Sequence, residues 1–145
     1  MHVRNKLDID ASPQIVWAWL THATLWPTWY DNADNVCILD GSAAGLELGS
    51  MFRWKTMGIT VKCTVVENIV NERLAWSGRA YGIDVYHAWV LAPLTSGCSV
   101  LTEETQRGLL ARLGKMYLPA KMYSAHQLWL ECLQAKACSG LPPAV

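Results

Sequence analysis

The chain has 145 residues, with 12 basic and 12 acidic side chains spread along it without clustering. That length suits one domain, and a chain of this size buries roughly 70% of its unfolded surface without a disulfide or metal staple. The even charge excludes the basic stripe that nucleic acid requires and the polybasic cluster of a membrane-surface anchor, so neither partner is expected.

The first expected element is a strand over 3–10, where Val3, Leu7 and Ile9 alternate with polar residues and Asn5 breaks the pattern. Ser12 and Pro13 then form a helix start, since serine accepts from a free first-turn N–H and proline has none to leave unpaired. The helix over 13–21 places Ile15, Val16, Trp19 and Leu20 on one face, and a second helical turn is expected over 25–31, because Pro27 ends any continuous helix. From 36 to 107 the period changes to two. Glycines at 41, 45, 49, 58, 82 and 97 cut the text into six further antiparallel strands, 34–40, 50–56, 59–67, 73–80, 84–92 and 98–107.

Alternation assigns their faces. Phe52 and Trp54 share one, as do Ile59, Val61, Cys63 and Val65; Leu74, Trp76 and Gly78; and Val85, His87, Trp89 and Leu91. A turn at 95–97 pairs Leu91 with Val100, which brings Thr102 and Glu104 to the same inner face. Helical spacing returns at 119–137 after a looser piece. There Leu118, Met122, Ala125, His126, Trp129 and Leu133 form one stripe, with Lys121, Gln127, Glu131 and Gln134 opposite. The domain is placed at 1–138 and a loose tail at 139–145. The fold class is α+β, a curved sheet gripping a long C-terminal helix.

Five scattered cysteines without a C-x-x-C pair suit free thiols in a reducing compartment. The polar start has no secretory pattern and no apolar run reaches membrane-spanning length, so a cytoplasmic protein without membrane insertion is expected. Eight tryptophans stand against one phenylalanine. They fill either a core of large residues or the walls of an aromatic pocket. A hydrophobic content of 52% against 17% charge leaves room for exposed apolar surface, and with it a possible homodimer.

Several stretches resemble one superfamily. They are Ala11-Ser12-Pro13-Gln14-Ile15-Val16-Trp17, Trp26-Pro27-Thr28-Trp29, the loop from Gly41 to Gly49, Leu74-Ala75-Trp76-Ser77-Gly78, His87-Ala88-Trp89, Pro93 with Gly97, and Glu103-Glu104 followed by Gly108. Together they resemble the SRPBCC or START-like superfamily over about 1–137, closest to its polyketide cyclase/dehydrase-like branch. The resemblance implies a helix-grip fold: a seven-stranded antiparallel sheet, two short helices after the first strand, and a C-terminal helix closing a deep cavity. It also implies a hydrophobic ligand such as a lipid, polyketide or quinone, and in some members cyclisation or dehydration.

An enzyme in such a cavity needs an acid or base within reach of its substrate. The candidates are His87, Glu104 and His126, with burial expected to push histidine down and glutamate up towards neutrality. Each histidine is more simply read as a core residue bonded to a neighbouring polar group. The expected ligand-binding set is Trp54, Trp76, His87, Trp89, Thr102, Glu104, Met122, His126 and Trp129. The early tryptophans, Trp17, Trp19, Trp26 and Trp29, are assigned to the helix pair or one rim. Histidine and cysteine spacing fits no zinc pattern, and glycine spacing fits no phosphate cradle, so no metal or cofactor is expected. The leading expectation is a binder of a small hydrophobic molecule. The alternatives are a cyclase/dehydratase-type enzyme using His87 or Glu104, and a filled-core interaction module.

Overall fold

The computed structural model describes residues 1–144. β1 (His2–Ile9) leads into α1 (Pro13–Thr21) and a 3-10 helix, Ala23–Thr28. Six strands follow: β2 (Asp34–Asp40), β3 (Met51–Thr56), β4 (Ile59–Ile69), β5 (Arg73–Ala80), β6 (Ile83–Pro93) and β7 (Cys98–Arg107). A short α2 (Leu109–Leu113) and one further 3-10 turn precede the long α3 (Leu118–Cys138). No helix among the described residues is long and apolar enough to cross a membrane.

The seven strands form one antiparallel sheet in the order β1-β7-β6-β5-β4-β3-β2. Every neighbour except β1–β7 is joined by a sequential turn, so the two sequence-adjacent strands β1 and β2 sit at opposite edges. The helical pair between them must therefore span the open side of the sheet. Bulges at Val65/Glu67 and within the β2–β3 pairing break the register. Such bulges bend strands and help a sheet curl. The alternating inner positions Phe52, Trp54, Val61, Cys63, Val65, Leu74, Trp76, His87, Trp89, Leu91, Val100 and Thr102 are all buried, as their parity predicts.

Two local expectations change. The second helical piece starts at Ala23, directly after α1, and carries Pro27 inside it as a 3-10 helix. Thr28 Oγ1 donates to the Leu25 carbonyl at 2.6 Å, and Trp29 and Tyr30 N–H both use the Trp26 carbonyl. The break at Asn5 also has a structural reason. Its side chain is inward and buried, and donates to the Tyr123 carbonyl at 3.1 Å and to Gln127 Oε1 at 3.2 Å, tying β1 to α3.

The start of the expected loose tail is held: Trp19 Nε1 donates to the Gly140 carbonyl at 2.7 Å. Val145 lies outside the described residues.

Candidate ligand cavity

The grip is filled at one end and hollow at the other. Trp26 packs at the filled end, its ring centroid 5.7 Å from Phe52, 5.3 Å from Trp54, 5.6 Å from Trp76 and 5.3 Å from Trp129. Its indole N–H donates to the Leu20 carbonyl at 3.0 Å, so this large side chain is fully satisfied. Of the two places the sequence offers Trp26, the helix pair or a rim, it takes an interior one, at the centre of the aromatic core.

Beyond it lies a cavity of about 190 Å³ between α3 and the β3–β7 part of the sheet. Trp54, Ile59, Val61, Cys63, Trp76, Ile83 and Val85 form the sheet wall, and Leu118, Met122, Ala125 and Trp129 the helix wall. Tyr30 closes one side, stacked on Trp129 at 4.6 Å, with its hydroxyl donating to the Ala125 carbonyl at 3.1 Å. Burial pushes its phenol up to about 12, so it stays protonated. Burial likewise pushes the Cys63 thiol up to about 12, which leaves it an unreactive filler. Lys121 stands exposed at the mouth. A shallower depression bounded by Met1, Arg107, Leu109 and Arg112 is open to solvent and lacks a comparable polar cluster.

The polar cluster is built by register. His87 and Glu104 lie directly opposite on β6 and β7, both inward. Helical phase brings His126 of α3 down onto them. Glu104 Oε2 lies 3.2 Å from His87 Nδ1 and 3.1 Å from His126 Nε2, while Gln106 Nε2 donates to Oε1 at 2.7 Å. Behind the cluster, His87 Nε2 lies 2.7 Å from Thr102 Oγ1, and Trp89 stacks on the imidazole at 5.4 Å.

The electrostatics correct one expectation. Burial raises the Glu104 carboxyl, but the His126 hydrogen bond, the two histidines' positive potential and the Gln106 hydrogen bond outweigh it. The group ends below the usual carboxylate value. His87 is pushed down to about 3 by burial, against the pull of Glu104 and with a small further push from His126. Glu104 is therefore a carboxylate and His87 a neutral imidazole near pH 7. The pair can accept a proton or a hydrogen bond from a molecule in the cavity, and is not arranged as a proton-donating acid. Three buried wall groups, Trp54 Nε1, His126 Nδ1 and Trp129 Nε1, have no hydrogen-bond partner among the described residues.

Seven of the nine expected ligand-contact residues reach this cavity: Trp54, Trp76, His87, Glu104, Met122, His126 and Trp129. Trp89 and Thr102 do not. They face inward but lie one step too far towards the filled end, where they support His87 from behind. The sequence reading missed Tyr30, Gln106 and Lys121. Gln106 follows Glu104 by two, so parity alone would have found it. Lys121 was placed on the outer helix face, and its reach to the mouth depends on where the cavity opens. The expectation of no metal-ligating cluster also changes, since His87, Glu104 and His126 each offer one ligand atom, all within 4.8 Å of one another. They come from β6, β7 and α3, so no short motif spacing marks them as ligands, although parity and helical phase place all three inward.

Comparisons with known proteins agree on the architecture. The family model described as "Polyketide cyclase / dehydrase and lipid transport" matches residues 1–127. Hypothetical protein jhp0584 from Helicobacter pylori is 29% identical, with TM-score 0.86, covering 94% of this chain and 88% of that one. A START superfamily protein from Mycobacterium smegmatis is 13% identical, with TM-score 0.79 and coverage of 95% and 97%. The di-domain ARO/CYC protein StfQ of the steffimycin biosynthetic pathway is 13% identical, with TM-score 0.76, covering 95% of this chain and 51% of StfQ. No curated protein matches the sequence.

Proposed function

Because the chain belongs to the polyketide cyclase/dehydrase and lipid transport family, we propose that it binds one small hydrophobic molecule, of lipid, polyketide or quinone type, in the cavity under α3. The observation that carries this reading is the cavity itself: about 190 Å³ of space with aromatic and aliphatic walls and one polar cluster at its inner end. An apolar pocket with a few convergent polar groups is the usual form of a small-molecule site. The carboxylate of Glu104 favours a ligand whose polar end carries a hydrogen-bond donor, such as a hydroxyl or phenol. His126 Nδ1 accepts when Nε2–H donates to Glu104 and so favours the same donor, whereas the Trp129 N–H favours an acceptor on the ligand. A buried polar group without a partner costs about 1–3 kcal/mol, which a ligand atom can relieve. The same void opposes the filled-core alternative.

Native mass spectrometry of gently purified protein tests the reading. It should show one bound molecule per chain, extractable into organic solvent on denaturation. A mass equal to the bare chain, unchanged after incubation with lipid, quinone and polyketide mixtures, overturns it.

A catalytic version is favoured by one specific observation, the Glu104 carboxyl group lining the cavity within 3.2 Å of His87 and 3.1 Å of His126. In that version Glu104 is the base that removes a proton from the bound molecule, and His87 and His126 hold it in place. Glu104→Gln would then keep ligand binding and lose turnover of an identified substrate, and full turnover in that variant removes the version.

A further inference from the structure

The Glu104 carboxyl group is buried between two imidazoles, and among the described residues no lysine or arginine pairs with it. Its side chain is 12% exposed and its neighbours are two imidazoles and an amide. Buried charges in proteins are paired with opposite charge or coordinate metal ions. We propose that His87 Nδ1, His126 Nε2 and a Glu104 carboxylate oxygen bind one divalent transition-metal ion of the zinc type, with its remaining coordination position open to the cavity.

Donor chemistry, geometry and support all bear on this. Two imidazole nitrogens and one carboxylate oxygen are the ligands of zinc and related first-row ions, whereas calcium and magnesium require mostly oxygen. Three protein ligands beside a void are also the pattern of sites that keep one position free for a small molecule. The three ligand atoms lie within 4.8 Å of one another. In a tetrahedral site, bonds of about 2.0–2.2 Å put ligand atoms about 3.4 Å apart, so the widest separation must close by up to about 1.4 Å through side-chain rotation. His126 is free to make it, since its Nδ1 has no partner to fix the ring.

The surrounding groups suit the role. Gln106 occupies Glu104 Oε1 and leaves Oε2 to the histidines. The Thr102 hydroxyl allows either tautomer of His87. In one, Nδ1–H donates to Glu104 and the Thr102 hydroxyl donates to Nε2. In the other, Nε2–H donates to Thr102, and Nδ1 faces the carboxylate with a bare lone pair at 3.2 Å. In that second arrangement a proton or a bound cation must lie between the two acceptors, and a metal ion fits that place. The arrangement also supplies what metal-bound histidines generally have, an outer hydrogen bond from the second ring nitrogen.

The proposal does not rest on the apolar-ligand reading, because zinc binding needs no organic molecule in the cavity. The test is equilibrium dialysis of the full chain against Zn²⁺, with metal content by mass spectrometry and Co²⁺ as a spectroscopic substitute. One Zn²⁺ per chain is expected, and Co²⁺ should give visible absorption bands that zinc displaces. Glu104→Gln and His126→Gln should each weaken Zn²⁺ by at least about 100-fold, and Thr102→Val by about 10-fold or more through the lost outer hydrogen bond. Thermal melting establishes that each variant is folded, and any one that does not fold leaves the others to carry the test. His2→Gln, at an exposed histidine, should change nothing. No retained zinc in the wild type overturns the proposal. So does zinc held equally by the folded Glu104 and His126 variants, which would place it on exposed thiols such as Cys37 or Cys138.

Discussion

At His87 the fold holds an imidazole neutral well below its ordinary range, and this makes a stability prediction with a definite sign. Burial is the main cause and carries the folded value to about 3, against 6.5 for a free ring. Between those values the unfolded chain binds a proton that the folded chain refuses, so stability falls as pH is lowered through the window. Glu104 acts in the same direction. Its folded value lies below the usual 4.5, so its contribution is present above that pH and fades as the pH drops. Urea unfolding at pH 7 and pH 4.5 should show the loss, at up to about 1.4 kcal/mol per pH unit from His87. The slope should flatten in His87→Gln, and an unchanged slope there would assign the effect to another group, such as the buried His22.

Gly78 makes a second residue-scale prediction. A Cβ there would lie 2.9 Å from both Cys63 Sγ and Val61 Cγ1, on the inner face where β4 and β5 meet. Gly78→Ala should therefore cost about 1–3 kcal/mol in chemical denaturation, as overpacked cores do. A neutral result would mean that the cavity beside Val61 absorbs the displacement.

Among the elements, two hairpins carry backbone strain at their turns. The β3–β4 and β5–β6 turns are two residues long, Met57-Gly58 and Tyr81-Gly82, with φ values of 49° and 79°, and 49° and 74°. Positive φ at both positions is the turn whose twist matches paired strands. It leaves Met57 and Tyr81 in a left-handed conformation that Asn adopts more readily. Tyr81 is 76% exposed, so little packing opposes a change. Tyr81→Asn should raise stability by up to about 1 kcal/mol in thermal melts. A decrease would show that the tyrosine ring supports the turn more than its backbone strains it.

The strands also show how far sequence pattern reaches. Period-two alternation placed His87, Glu104, Trp76 and Trp54 on the inner face because parity depends only on neighbouring residues. Helical phase did the same for His126 and Trp129. Trp89 and Thr102 obey the same parity and still miss the cavity. Parity says which face a residue takes, not how far along the strand the hollow extends. That extent depends on where α3 and Trp26 come down on the sheet, which is a tertiary fact. Tyr30 eluded the reading for the same reason: it sits past the 3-10 helix and reaches the cavity only through its stacking on Trp129.

For the molecule as a whole, the division between a filled end and a hollow end separates folding from function, and that separation can be tested. Trp26, Phe52, Trp89, Leu130 and Leu133 are fully buried at or near the filled end and carry the core. The hollow end adds no packing where the void lies, so filling it should cost the fold little. Met122 is buried on α3 and lines the cavity, and Met122→Trp would direct a larger ring into about 190 Å³ of space. Extra volume strains a core that is already full by about 1–3 kcal/mol, but here the room exists. The variant should melt within a few degrees of the wild type and lose the molecule detected by native mass spectrometry. A variant that melts normally and still carries that molecule would move the ligand out from under α3. Loss of both the fold and the ligand would show that the hollow end contributes to the core after all, and Met122→Phe, with its smaller ring, would then measure by how much.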